Sequence, residues 1–224
     1  SSLVAGASSF RDLPPLPLVP QEVRGVSREG ASTVFVDSQF TPDVMLRRVA
    51  DPVYSRVHVA THAEFRPGSI GDSYVYTGTA PVPFRDFLAI RQRRASQPID
   101  LFVLSACRTA LGDSSSELGF AGLAIQAGAK SAVGTLWYVD DVATSAYFLQ
   151  MYRYMDQGLP KAEALQATRV SFAKGLIRLD GSKVLGADGV PLLLGLTSQQ
   201  QRRVASGLAH PFFWSGIELI GTPW

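Results

Sequence analysis

The chain has 224 residues, 46% of them hydrophobic and 18% charged, which is enough apolar material for a sizeable core and too much for a disordered segment. Its formal charge is +2, from 21 basic and 19 acidic residues, so the charge balance gives no reason to expect nucleic acid or an anionic membrane as a partner. The single cysteine, Cys107, excludes an intrachain disulfide, and no apolar run reaches the roughly 18 residues of a membrane span.

A thiol without a disulfide partner fits a reducing compartment, and a cytoplasmic location is expected. The opening residues lack both an initiator methionine and the charged and apolar regions of a signal peptide. The sequence therefore reads as a processed product or a piece of something longer.

In chain order, short β-branched runs alternate with longer amphipathic stretches, the pattern of a mostly parallel sheet covered by helices. Leu3 to Gly6 reads as a first strand. Residues 11–20 hold four prolines and read as a semi-rigid loop, because proline removes backbone donors. A short helix is expected over 21–29 and a strand over 33–36. Thr41 followed by Pro42 makes a helix start, running to about Ala50.

Arg56 to Thr61 is the next strand, ending at His62. Residues 74–77 alternate and suggest a hairpin or accessory strand, and 83–94 suggest a helix. Its end carries Arg91, Arg93 and Arg94, read as a solvated face whose cations complement the helix dipole. Ile99 to Leu104 is a near-continuous apolar run, as expected of a central strand buried on both faces. A Gly- and Ser-rich loop over 112–119, a helix over 120–127 and a strand over 131–136 follow. Two amphipathic helices are expected near 141–157 and 160–176. Residues 178–209 read as an insertion or lid with a hairpin, and 217–220 as the last strand. The fold class is a three-layer α/β/α sandwich with a mostly parallel central sheet.

Two segments end at the carboxyl edge of a parallel strand, where ligands and catalytic side chains gather in open α/β sheets. One carries His62, the other Cys107. Each residue alone has an ordinary structural reading: a small buried thiol, and a satisfied histidine near an apolar strand. As a pair they are more informative. An imidazole within hydrogen-bond reach of the sulfur would take the thiol proton and leave a thiolate nucleophile. His62 precedes Cys107 by 45 residues, close to the spacing of about 50 found in caspases.

The stretches HVATHAEF (58–65), DLFVLSACRTALGD (100–113), FAGLAIQAGAKSAVGTLWYVDDVAT (120–144) and HPFFWSGIELIG (210–221) resemble, in this order, the CHAT domain, a branch of the caspase-like clan CD cysteine peptidases. The resemblance covers most of the chain, and it implies a single caspase-like domain over 1–224. It implies His62 as general base, Cys107 as nucleophile, and the backbone N–H groups of Ala63 and Cys107 as oxyanion donors. Many relatives have glycine where Ala63 stands. The implied activity is endopeptidase cleavage of a protein or peptide substrate in intracellular regulated proteolysis, with tetratricopeptide repeats or a sensor region elsewhere in the parent chain.

In this clan a pocket beside the nucleophile selects the residue before the scissile bond, and acidic pocket residues favour Arg or Lys. Asp140, Asp141 and Asp113 are the candidates here, with Glu117 further along the same loop as Asp113. Asp140 and Asp141 also read as a helix cap and first turn. Arg108 would lower the thiol pKa, and the small Ser105 argues against a metacaspase-type pocket. His58 reads as a core residue behind the site and His210 as structural. No cofactor is expected, and no metal, since neither CxxC nor HExxH occurs. Two rival readings stay open: a latent CHAT signalling module that a partner activates, and a cysteine-dependent small-molecule hydrolase.

Overall fold

The computed structural model describes residues 1–28, 30–65, 72–94, 97–106 and 119–224. These form two compact units, one of Ser1–Tyr138 with Glu218–Thr222, the other of Val139–Ile217 with Pro223–Trp224.

The first unit is built on strands β1 (Ser2–Gly6), β2 (Ser32–Val36), β3 (Arg56–Thr61), β7 (Leu101–Ala106), β8 (Ser131–Thr135) and β12 (Ile217–Gly221), in the order β12-β8-β7-β3-β1-β2. The pairs β1/β2, β1/β3, β3/β7 and β7/β8 are all parallel. Every residue of β7 is buried, Ser105 included, as expected of a central strand dominated by apolar side chains. The strand spans 101–106 rather than the expected 99–104, since Ile99 makes only an isolated bridge to Ala129.

Alternation along the strands sends Leu3, Ala5, Val57, Val59, Phe102, Leu104 and Ala132 into one core. That core is completed by Met45 and Val49 of helix α2 (Pro42–Val49), Ile90 of α3 (Leu88–Arg94) and Ala124 of α4 (Gly119–Gln126). Helix α1 (Val19–Val26) covers the opposite face. Its Val19 and Val23 sit where a Cβ on Gly6 would be, so only glycine allows this close approach. The result is the expected three-layer α/β/α architecture. Thr41 caps α2, its hydroxyl accepting from the Val44 N–H at 3.2 Å.

A separate antiparallel sheet follows β3, made of β4 (Ala63–Glu64), β5 (Tyr74–Tyr76) and β6 (Pro81–Pro83). The sequence suggested one hairpin or accessory strand here. A 3₁₀ turn over Phe84–Phe87 leads into α3. Arg91 and Arg93 are exposed as expected, but Arg94 is 3% exposed and does not belong to a solvated face. Its guanidinium donates to the carbonyls of Val49, Asp51, Tyr54 and Gln97 at 2.6–3.0 Å. A cation at a helix end also satisfies carbonyls that would otherwise be orphaned, and here three of the four belong to residues 49–54, from the end of α2 to the turn before β3.

The second unit packs α5 (Asp141–Asp156) against α6 (Lys161–Ala173) through Tyr147, Phe148 and Phe172, with Tyr147 and Phe172 ring centroids 5.6 Å apart. Residues 178–209 hold β9 (Arg178–Asp180), β10 (Lys183–Leu185) and β11 (Pro191–Leu193), an antiparallel sheet, then α7 (Ser198–Arg203). Thr197 and Gln200 form a reciprocal capping box at the start of α7. His210 serves a short 3₁₀ turn, its Nδ1 accepting from the Phe212 N–H at 3.2 Å.

Candidate functional site

Strands β3 and β7 are adjacent, and Thr61 is the register partner of Ala106. Both strand ends are pegged by threonine hydroxyls. Thr61 Oγ1 donates to the Tyr76 carbonyl at 2.6 Å, and Thr135 Oγ1 of β8 donates to the Ala106 carbonyl at 2.7 Å. His62 directly follows Thr61. Cys107 directly follows Ala106 in the sequence, but it lies outside the described residues, as do Arg108, Asp113 and Glu117.

The His62 ring is 6% exposed and held on two sides. Its Nε2 is 2.8 Å from the Pro14 carbonyl oxygen, and the Phe10 ring packs on it with centroids 4.7 Å apart. A carbonyl can only accept, so Nε2 carries the hydrogen and the lone pair of the neutral imidazole falls on Nδ1. The main chain is held too, because the Tyr76 N–H donates to the His62 carbonyl at 2.9 Å. Ala63 is buried in β4 opposite Val75.

Phe10 and Pro14 come from the proline-rich segment after β1. The Leu16 N–H closes that segment on the Ser8 carbonyl at 2.9 Å, and Asp37 anchors it by accepting from the Ser8 N–H at 2.6 Å. The segment and the β5–β6 turn enclose a cavity of about 460 Å³ lined by Phe10, Asp12, Leu13, Tyr76, Thr79 and Pro81 among others. Phe10 and Tyr76 are thus shared between the cavity and the surroundings of His62.

His58 lies in the body of β3 and pairs with Glu22 of α1 at 2.9 Å, with the two side chains 1% and 2% exposed. This fits a role in the core, away from the strand end. Ser105 is buried within β7.

In the second unit, Asp140 caps α5 by accepting from the Val142 N–H at 2.9 Å. Arg203 bridges Asp140 and Asp141, donating from Nε to the first and from Nη2 to the second. Burial and the neighbouring Asp140 charge push the Asp141 carboxyl above its usual range, while Arg203 pulls it back down. Sequence reasoning missed Pro14, Phe10 and Arg203. A backbone carbonyl is common to every residue, and nothing local links Arg203 to carboxylates 62 and 63 positions earlier.

Comparison with curated protein sequences found no match. The family model of the CHAT domain matches residues 1–222. The fold, the strand-end placement of His62 and this match over nearly the whole sequence lead to one conclusion: the chain belongs to the CHAT domain family, a caspase-like family of clan CD.

Proposed function

We propose that this chain is a cysteine endopeptidase in which His62 and Cys107 form the catalytic dyad. The observation that carries the proposal is the register of β3 and β7. Thr61 and Ala106, the residues preceding the two dyad members, are partners on adjacent parallel strands. Neighbouring strands lie about 4.8 Å apart and consecutive Cα atoms about 3.8 Å, so matched strand ends suit an imidazole and a thiol meant to meet.

In the reaction, Nδ1 of His62 takes the thiol proton and the thiolate attacks the scissile carbonyl carbon. The oxyanion accepts from the backbone N–H groups of Ala63 and Cys107. As the tetrahedral species collapses, the C–N bond breaks and the imidazolium passes its proton to the leaving amine. His62 then deprotonates a water, which attacks the thioester, releases the new carboxyl terminus and restores the thiol. The Pro14 carbonyl holds Nε2–H throughout, and that bond strengthens while the ring is cationic.

Asp140, Asp141 and Asp113 are the proposed recognition groups for a basic residue before the cut. Arg203 already bridges the first two carboxylates, so an incoming Arg or Lys would share or displace that guanidinium. The proposed setting is cytoplasmic, with a protein or peptide substrate and a repeat or sensor region elsewhere in the parent chain.

The test is a tetrapeptide library varied at the residue before the cut, read alongside a peptidyl warhead that labels Cys107. The expected result is cleavage after Arg or Lys, with labelling that His62→Ala suppresses by about 100-fold or more. Cleavage after Asp or large apolar residues would sink the acidic pocket, and a Cys107→Ala variant that cuts as well as its parent would sink the dyad. Labelling only after a partner is added would favour a latent signalling module. Reaction with small esters but with no peptidyl warhead would favour a small-molecule hydrolase.

A further inference from the structure

Among the described residues, Asp37 is the one non-glycine residue with positive φ, at 49°. Left-handed backbone is disfavoured for any side chain with a Cβ, and such outliers persist only where the surroundings hold them. Asp37 follows β2 at the start of a 3₁₀ turn over Asp37–Gln39, far along the chain from His62. Its contacts nevertheless converge on both segments that hold the histidine.

The first contact runs through its carboxylate. Oδ1 accepts from the Ser8 N–H at 2.6 Å and from Ser8 Oγ at 2.9 Å, and Oδ2 lies 3.0 Å from the same hydroxyl. Ser8 is the base of the segment that Leu16 closes, and that segment supplies Pro14 to Nε2 and Phe10 to the ring face.

The second contact runs through its backbone. A Cβ on Gly78 would overlap the Asp37 carbonyl, so the β5–β6 turn sits directly on this peptide. The Gly78 N–H donates to the Phe40 carbonyl at 2.8 Å, and the Phe40 N–H donates to the Asp37 carbonyl at 2.9 Å. Thr77 Oγ1 donates to the Ala80 carbonyl at 2.6 Å and makes the turn stiff. From that turn β5 runs back to Tyr76, whose N–H holds the His62 carbonyl and whose own carbonyl takes the Thr61 hydroxyl.

We propose that Asp37 is the positioning residue of His62, fixing the ring through Ser8 and the Pro14 segment and the main chain through the β5–β6 turn. The left-handed backbone is what lets one residue present its carboxylate to one segment and its carbonyl to the other. This assignment rests on the proposed role of His62 for its importance to catalysis, but its physical content is the tautomer and orientation of the imidazole.

The experiment uses the full chain with nitrogen-15 in histidine and a long-range proton–nitrogen correlation spectrum. Only His58, His62 and His210 contribute, and His62→Gln identifies the signals of interest. In the parent the His62 ring is expected in the Nε2–H form, with widely separated nitrogen shifts. Asp37→Gly accepts the positive φ but loses the carboxylate, so the two shifts should converge as the tautomers mix. Asp37→Asn tolerates the same backbone and keeps an oxygen for the Ser8 N–H, so it should restore the parent spectrum. His58 and His210 should not move in either variant.

Parent-like His62 signals in Asp37→Gly would overturn the proposal, as would identical movement in the Gly and Asn variants. Should Asp37→Gly fail to fold, Ser8→Ala removes only the hydroxyl, and it should cause a smaller convergence in the same direction; no movement there would be equally damaging. Peptide cleavage is measured in parallel, with kcat expected to fall in Asp37→Gly, KM unchanged, and both restored by Asn. If the parent cleaves nothing while the tautomer still responds to residue 37, the peptidase reading fails and the positioning role stands.

Discussion

Asp140 and Asp141 illustrate how one distant side chain changes the meaning of a residue pair. Side by side in the sequence they form a cap and a first turn, or two candidate pocket acids. In the structure they share Arg203. Burial is the main cause raising the Asp141 carboxyl above its ordinary 3.8, with the Asp140 charge adding to it. The folded chain therefore keeps a proton that the unfolded chain has released between those two values. Stability falls as pH rises through that window, and the penalty is fully present above the raised value. Arg203→Gln removes the opposing cation, so the carboxyl rises further and the decline extends to higher pH. At neutral pH the substitution should cost about 1 kcal/mol, because the guanidinium is partly exposed. Urea midpoints followed from acidic to neutral pH would test this, and identical pH slopes in parent and variant would refute it.

Helix α3 shows the same gap between composition and placement. Arg91, Arg93 and Arg94 look alike in sequence, but only Arg94 turns inward, where its planar fork meets four carbonyls. Three of those carbonyls, on Val49, Asp51 and Tyr54, belong to the end of α2 and the turn that enters β3, the strand leading to His62. Burial lowers the Arg94 pKa from its ordinary value, with Asp51 opposing. Arg94→Lys keeps the charge but not the fork, so buried carbonyls lose their donors, and the expected loss is about 3 kcal/mol. Arg93→Lys, on the exposed side, should change stability by no more than about 0.5 kcal/mol. Equal denaturation midpoints for the two variants would contradict this account. The helix itself was legible from its apolar spacing, but which of its cations is buried was not, because that depends on carbonyls some 40 positions away.

Across the whole molecule, strand order departs from chain order. The first strand lies between β2 and β3, while the last, β12, returns to the edge beside β8. The Thr222 N–H donates to the Lys130 carbonyl at 2.9 Å, and Ser131 Oγ donates to the Thr222 carbonyl at 2.6 Å. Removing residues 218–224 would strip the strand from β8 and leave an open edge. The truncated chain should unfold at a lower urea midpoint, by about 3 kcal/mol or more, and self-associate on size-exclusion chromatography. A truncated chain with the parent midpoint and elution would show that β12 adds nothing to the sheet.

By itself the sequence determined the layered α/β class, the buried run of β7 and the position of His62 at the end of β3. Those features follow from local periodicity and from where an apolar strand must stop, and both are written into consecutive residues. The strand pairing, the carbonyl of Pro14 on Nε2 of the imidazole, the Arg203 bridge and the left-handed Asp37 were decided only by tertiary structure. Backbone carbonyls are identical from residue to residue, and charges many positions apart carry no mark of one another. Such contacts exist only after the chain has folded them together.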